Sequence, residues 1–164
     1  MQHHTDEQEL PIGKALGRIP SGVFVLTAAH AGERLAMLAS WVQQASFEPP
    51  TISIAIAKGR PIGTLIRASA RLAISIIPEQ DKSLMKKYAR GMKDGEDPFA
   101  GVAVIRSPTG VPILSDALGW LEAKLIQTCD FNADHEILIG QVTSGALLRE
   151  GTAFTHQRGN GFHY

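Results

Sequence analysis

Residues 51–57 constrain this chain most, because Ile52, Ile54 and Ile56 alternate there with Ser53, Ala55 and Ala57. A period of two puts the isoleucines on one face of a β-strand and the small residues on the other. The bulky face must be buried, and the small face leaves room for something to lie against it. Gly22 to Ala28 is β-rich and almost continuously apolar, as in a strand covered on both faces. The turn residues His30, Ala31, Gly32 and Glu33 follow, and residues 34–40 are expected to return as its partner.

Further strands are expected at residues 71–77, 102–106, 118–130 and 135–148, the last interrupted by Gly140 and Gly145. Along 118–130, Leu121, Ala123 and Leu125 alternate with Trp120, Glu122 and Lys124, as in a half-exposed strand. A helix should open at Gly59-Arg60-Pro61, since proline suits the first helical position and Ile62, Leu65 and Ile66 share a face. A second, at residues 80–90, places Leu84 and Tyr88 one turn apart and closes at Gly91. Residues 92–100 are charged and glycine-bearing, which reads as a surface loop.

Six or seven strands and two or three small helices, with no regular alternation between them, argue against a parallel doubly wound sheet. The expected fold is mainly β with short helices (α+β), a small and mostly antiparallel barrel whose closure protects its edges. Residues 1–13 read as a polar lead-in and residues 14–164 as one domain.

Sixteen basic residues balance sixteen acidic ones, which argues against a nucleic-acid or anionic-membrane partner. The first ten residues lack the basic start and apolar stretch of a signal peptide, and no run of 18 apolar residues occurs. With Cys129 as the only cysteine, no intrachain disulfide forms, and a cytoplasmic setting is expected.

Between the strands ending near Ala39 and starting at Thr51 lies a polar connection of about nine residues, where a hairpin needs two. Ser40, Gln43, Gln44 and Ser46 supply donors there, and Lys58 and Arg60 stand beyond the next strand, at a helix start. Together they suit a ligand with a flat polar body and a phosphate tail, or they are a solvated loop and an ordinary turn. No P-loop or Gly-x-Gly-x-x-Gly fingerprint is present.

These residues resemble the flavin reductase-like family, the FMN-binding split barrels. The resemblance lies in the polar stretch of residues 36–58 with its Ser-Phe-Glu-Pro-Pro, in Gly17-Arg18-Ile19-Pro20-Ser21-Gly22, in residues 68–76, in Asp134-His135 and in Arg158-Gly159-Asn160-Gly161. Leu38 stands where that pattern usually has Thr, and Glu48 where it has Asp. The resemblance is nearest to the small reductase components of two-component monooxygenases and to the reductase-like domain of flavodiiron proteins.

It implies FMN, with FAD as the alternative, NAD(P)H as co-substrate, a homodimer and an oxygenase or other electron-accepting partner. Ala39, Ser40, Trp41 and Val42 would border the isoalloxazine; Ser46, Phe47, Lys58, Gly59 and Arg60 would hold the ribityl chain and phosphate. His135 is the candidate catalytic residue, aligning the nicotinamide rather than moving a proton. Arg60, Arg67 and Arg158 are all candidate phosphate partners. The remaining histidines show no metal spacing, and no Gly-x-Ser-x-Gly elbow marks a hydrolase. The rivals to a reductase are an electron carrier reduced by a protein donor and a non-catalytic flavin-binding module.

Overall fold

A computed structural model describes residues 11–163 of the chain. The order of elements is α1 (Pro11–Gly17), β1 (Ser21–Gly22), β2 (Phe24–His30), β3 (Glu33–Ala39), β4 (Val42–Phe47), β5 (Pro50–Ala57), α2 (Pro61–Ser69) and β6 (Arg71–Ile76). Then follow α3 (Ser83–Ala89), β7 (Val104–Arg106), β8 (Pro112–Leu114), β9 (Gly119–Asp130), β10 (His135–Leu147) and β11 (Thr155–His156). Seven strands form one sheet in the order β3-β2-β6-β9-β10-β5-β4, every neighbouring pair antiparallel. The sheet coils into a split barrel whose two edge strands, β3 and β4, are joined by Ser40 and Trp41.

The alternation in β5 decides the interior. Ile52, Ile54 and Ile56 are buried with Leu26, Leu72, Ile74 and Leu138, and α2 adds Ile62, Leu65 and Ile66 from its apolar side. A second cluster gathers Val23, Val25, Ala36 and Ile77 with Leu84, Tyr88 and Phe99. The near-continuous apolar run of β2 follows directly: Leu26 and Ala28 serve the first cluster, Val23 and Val25 the second.

Several expectations need correction. Residues 11–13 belong to α1 rather than to a polar lead-in, whose residues 1–10 lie outside the described residues. The connection after Ala39 is mostly strand: β4 pairs with β5 from Val42 opposite Ile54 to Phe47 opposite Pro50. Trp120 and Glu122 are buried, because residues 107–114 and the unanticipated β8 cover that end of β9. β10 runs through both glycines, with register shifts between Ile139 and Gly140 and between Val142 and Ser144. A Cβ on Gly140 would lie 2.9 Å from that of Ala123, so the close approach of β9 requires glycine there.

Residues 92–100 form no regular element, yet they are packed and pinned. Phe99 is buried under the Arg34 guanidinium, the Tyr88 hydroxyl donates to the Pro98 carbonyl, and Arg90 pairs with Glu96. Among the described residues no helix is long and apolar enough to cross a membrane.

Candidate functional site

The split between β3 and β4 puts chemistry on the outer face of β5. Because the isoleucines of β5 point inward, Ser53, Ala55 and Ala57 form a floor of small, half-buried side chains outside. The Ser40–Trp41 link crosses this floor and is tied to it, the Ala55 amide donating to the Trp41 carbonyl at 3.0 Å. On the other side β10 pairs with β5 in a register that sets His135 opposite Ala57.

Trp41 and His135 therefore meet, their ring centres 4.9 Å apart and their planes inclined by 51°. His135 Nδ1 lies 2.9 Å from the Asp134 carboxylate. With Nδ1 facing that carboxylate, the imidazole is oriented by Asp134 and by the Trp41 ring. The hydrogen bond from His135 keeps the exposed Asp134 carboxyl below the usual range. The guanidinium carbon of Arg158 stands over the Trp41 ring, 5.0 Å from the indole centre.

Two clefts share Ser40, Trp41 and Ala55. The first continues past Ala39, Ala57 and Arg60 to Tyr88 and Gly91. The second is bounded by Leu16, Ile19, Ser53, Ile137 and Arg158. A third hollow, lined by Arg60, Tyr88 and the segment from Gly91 to Glu96, shares Arg60 with the first.

Of the residues singled out from the sequence, Ala39, Ser40, Trp41 and Arg60 line the first cleft, and Val42 lines the second. His135 borders Trp41. Gly59 makes the turn after β5 with φ +79°, a conformation that favours glycine. Lys58 sends its ammonium to Asp130, 2.6 Å away, and its backbone N–H to the Asp134 carbonyl. The exposed Asp130 carboxyl is lowered first by that hydrogen bond and then by the Asn132 amide.

Ser46 and Phe47 are not brought to either cleft. They sit at the tip of the β4–β5 hairpin, roughly 13 Å along β4 from Val42. There Ser46 donates to the Pro49 carbonyl and Phe47 is 87% exposed. Arg67 is paired with Glu136 at 2.7 Å, which leaves Arg60 and Arg158 as the arginines at the clefts. Leu38, at the position where Thr is usual, lines the first cleft and packs against the second core cluster.

Sequence reasoning did not join Trp41 to His135 or Arg158 to Trp41, since no local spacing links those positions. Nor did it reach Tyr88 as a cleft residue. The signal for Ala55 and Ala57 was present in the alternation of β5.

The chain folds as a split antiparallel barrel with a floor of small residues beside its split. Residues 16–161 match the flavin reductase like domain, and the chain belongs to that family. Diflavin flavoprotein A 1 of Synechocystis sp. (strain ATCC 27184 / PCC 6803 / Kazusa) is 40% identical over 153 residues. The match covers 92% of this chain and 26% of that protein, so the chain spans about a quarter of its relative's length.

Two solved structures share the fold. Nitrilotriacetate monooxygenase component B from Mycobacterium thermoresistibile superposes with a TM-score of 0.80 at 23% identity, over 89% of this chain and 80% of that one. The NADH:FAD oxidoreductase of Streptomyces globisporus C-1027, in complex with NAD and FAD fragments, gives 0.79 at 21% identity, over 89% and 86%.

Proposed function

We propose that the chain is an NAD(P)H-dependent flavin reductase that binds FMN, or FAD in its place, and passes electrons to a partner such as an oxygenase. One observation carries this reading: the Ala55–Ala57 floor is bordered by the Ser40–Trp41 link, with the Arg60 cation along the same cleft and the His135–Asp134 pair next to Ala57. A planar ring needs such a floor, because a larger side chain at either alanine would occupy the space above it. The donor set fits a flavin: small apolar contacts for the ring, a hydroxyl and link backbone at its edge, and cations for a phosphate.

Bound flavin supplies the acceptor for a hydride donated by a reduced nicotinamide. Ala39, Ser40, Trp41 and Val42 would border the ring, and the amides of the link would serve as hydrogen-bond donors at its edge. Arg60 would hold the phosphate, with Lys58, now paired with Asp130, as a second cation close by and Gly59 setting the turn between them. His135, fixed by Asp134 and Trp41, aligns the nicotinamide, since hydride transfer depends on approach and angle.

Two copies are proposed to associate, and the exposed Phe47 and Ile126 suit a subunit contact. For Ser46 and Phe47, the hairpin-tip position supports a role at that contact rather than in the cleft of one chain.

The test is NADH or NADPH oxidation followed at 340 nm with catalytic protein and excess FMN, FAD or riboflavin. Turnover with either nucleotide is expected. Flavin binding without turnover would favour a carrier reduced by a protein donor.

A further inference from the structure

The C-terminal segment is locked onto α1 through glycines. The Arg158 amide donates to the Gly17 carbonyl at 2.9 Å and the Gly161 amide to the Gly13 carbonyl at 2.7 Å. A Cβ on Gly17 would stand 2.5 Å from the Arg158 carbonyl oxygen, and one on Gly161 would stand 2.2 Å from the Leu16 Cβ. The backbone of Arg158 is thus placed by direct contact with α1, and its guanidinium is delivered over Trp41 at 5.0 Å.

Trp41 is the wall common to both clefts, and its backbone is tied down through Ala55. That bond fixes the link but not the rotation of the indole about its own side-chain torsions. The indole is in contact with the Arg158 cation and with the His135 imidazole. A cation over the indole restrains those torsions, and a restrained indole in turn restrains the imidazole it touches.

We infer that Arg158 is a positioning residue that acts through Trp41: the guanidinium holds the indole against His135, and so sets where the imidazole stands at the cleft. The lock between α1 and residues 158–161 is the device that fixes Arg158. The link to nicotinamide alignment rests on the function proposed above; the geometric claim does not.

The experiment uses the full chain and reads the imidazole directly. In NMR spectra at one fixed pH, the His135 ring protons are assigned with His135→Gln, and their ring-current displacement is defined with Trp41→Ala. Arg158→Gln should move them at least half of the way to their Trp41→Ala positions, and Arg158→Lys should restore most of the displacement. Gly17→Ala, which shifts the Arg158 backbone and leaves its charge intact, should move them in the same direction.

In turnover, Arg158→Gln should lower kcat/KM for the nicotinamide by about tenfold, with Arg158→Lys recovering most of it, the scale expected for misplacing a positioned group. His135 resonances that stay in place in Arg158→Gln overturn the inference, whether or not activity falls. If the wild-type chain oxidises no nicotinamide, the reductase reading fails, and the resonances still decide whether Arg158 positions Trp41.

Discussion

Lys58 and Asp130 face each other at 2.6 Å, so a cation beside the first cleft is already held by a carboxylate of β9. A phosphate bound there must draw Lys58 away from a solvent-exposed partner, a modest cost because exposed pairs are weak. Asp130→Asn should tighten FMN binding by about two- to fivefold. Riboflavin, which lacks the phosphate, should show no change. Lys58→Gln and Arg60→Gln should weaken FMN and leave riboflavin affinity unaltered. Paired fluorescence titrations with the two flavins measure this.

The floor of β5 gives a steric prediction. Ala55→Leu points outward, away from the buried isoleucines, and should leave thermal unfolding within a few degrees of wild type. The same change should weaken FMN binding by more than about tenfold, the equivalent of 1.4 kcal/mol. Calorimetric titration of FMN into both proteins provides the comparison.

Burial, followed by the nearby Asp97 charge, pushes the Tyr88 hydroxyl up to about 12. Its neutral form donates to the Pro98 carbonyl and ties residues 92–99 to α3. The sign follows from the raised value: the folded state holds this proton more tightly than the unfolded chain. Its stabilising contribution is complete below pH 10 and is lost as the pH rises through about 12. Ultraviolet titration at 295 nm should show a late phenolate component that is missing in Tyr88→Phe, and the variant should lose less stability over that window.

Glu122 is a buried carboxylate held by the Thr109 hydroxyl at 2.7 Å. Thr109→Val removes the donor and should cost about 1–3 kcal/mol in urea unfolding, whereas Thr109→Ser should be close to neutral.

Much of this architecture was legible because its signals are periodic. The Ile–small alternation of β5, the doubly apolar β2 and the Pro61 helix start each dictate an element by themselves. β4 escaped because Val42-Gln43-Gln44-Ala45-Ser46-Phe47 buries little and carries no apolar period; pairing with β5 alone makes it a strand. Glu122 fell on the polar side of the β9 alternation yet is buried, because its cover comes from residues 107–114, and local alternation is blind to such distant packing.

The site divides in the same way. Ala39, Ser40, Trp41 and Arg60 come together on one cleft, while Ser46 and Phe47 stand at a hairpin tip, because β4 carries them away from it. The contacts of Trp41 with Arg158 and with His135 join three distant stretches through the strand register and the α1 lock, and no spacing in the sequence encodes them.

Whether this cleft holds a flavin that a reduced nicotinamide can reduce is decided by the visible spectrum of the purified chain with FMN under anaerobic conditions, before and after NADH is added. A perturbed flavin band that bleaches on NADH addition is expected, with many equivalents of free FMN reduced by catalytic protein. A bound flavin that neither NADH nor NADPH bleaches, or no flavin bound at all, would contradict the proposed function.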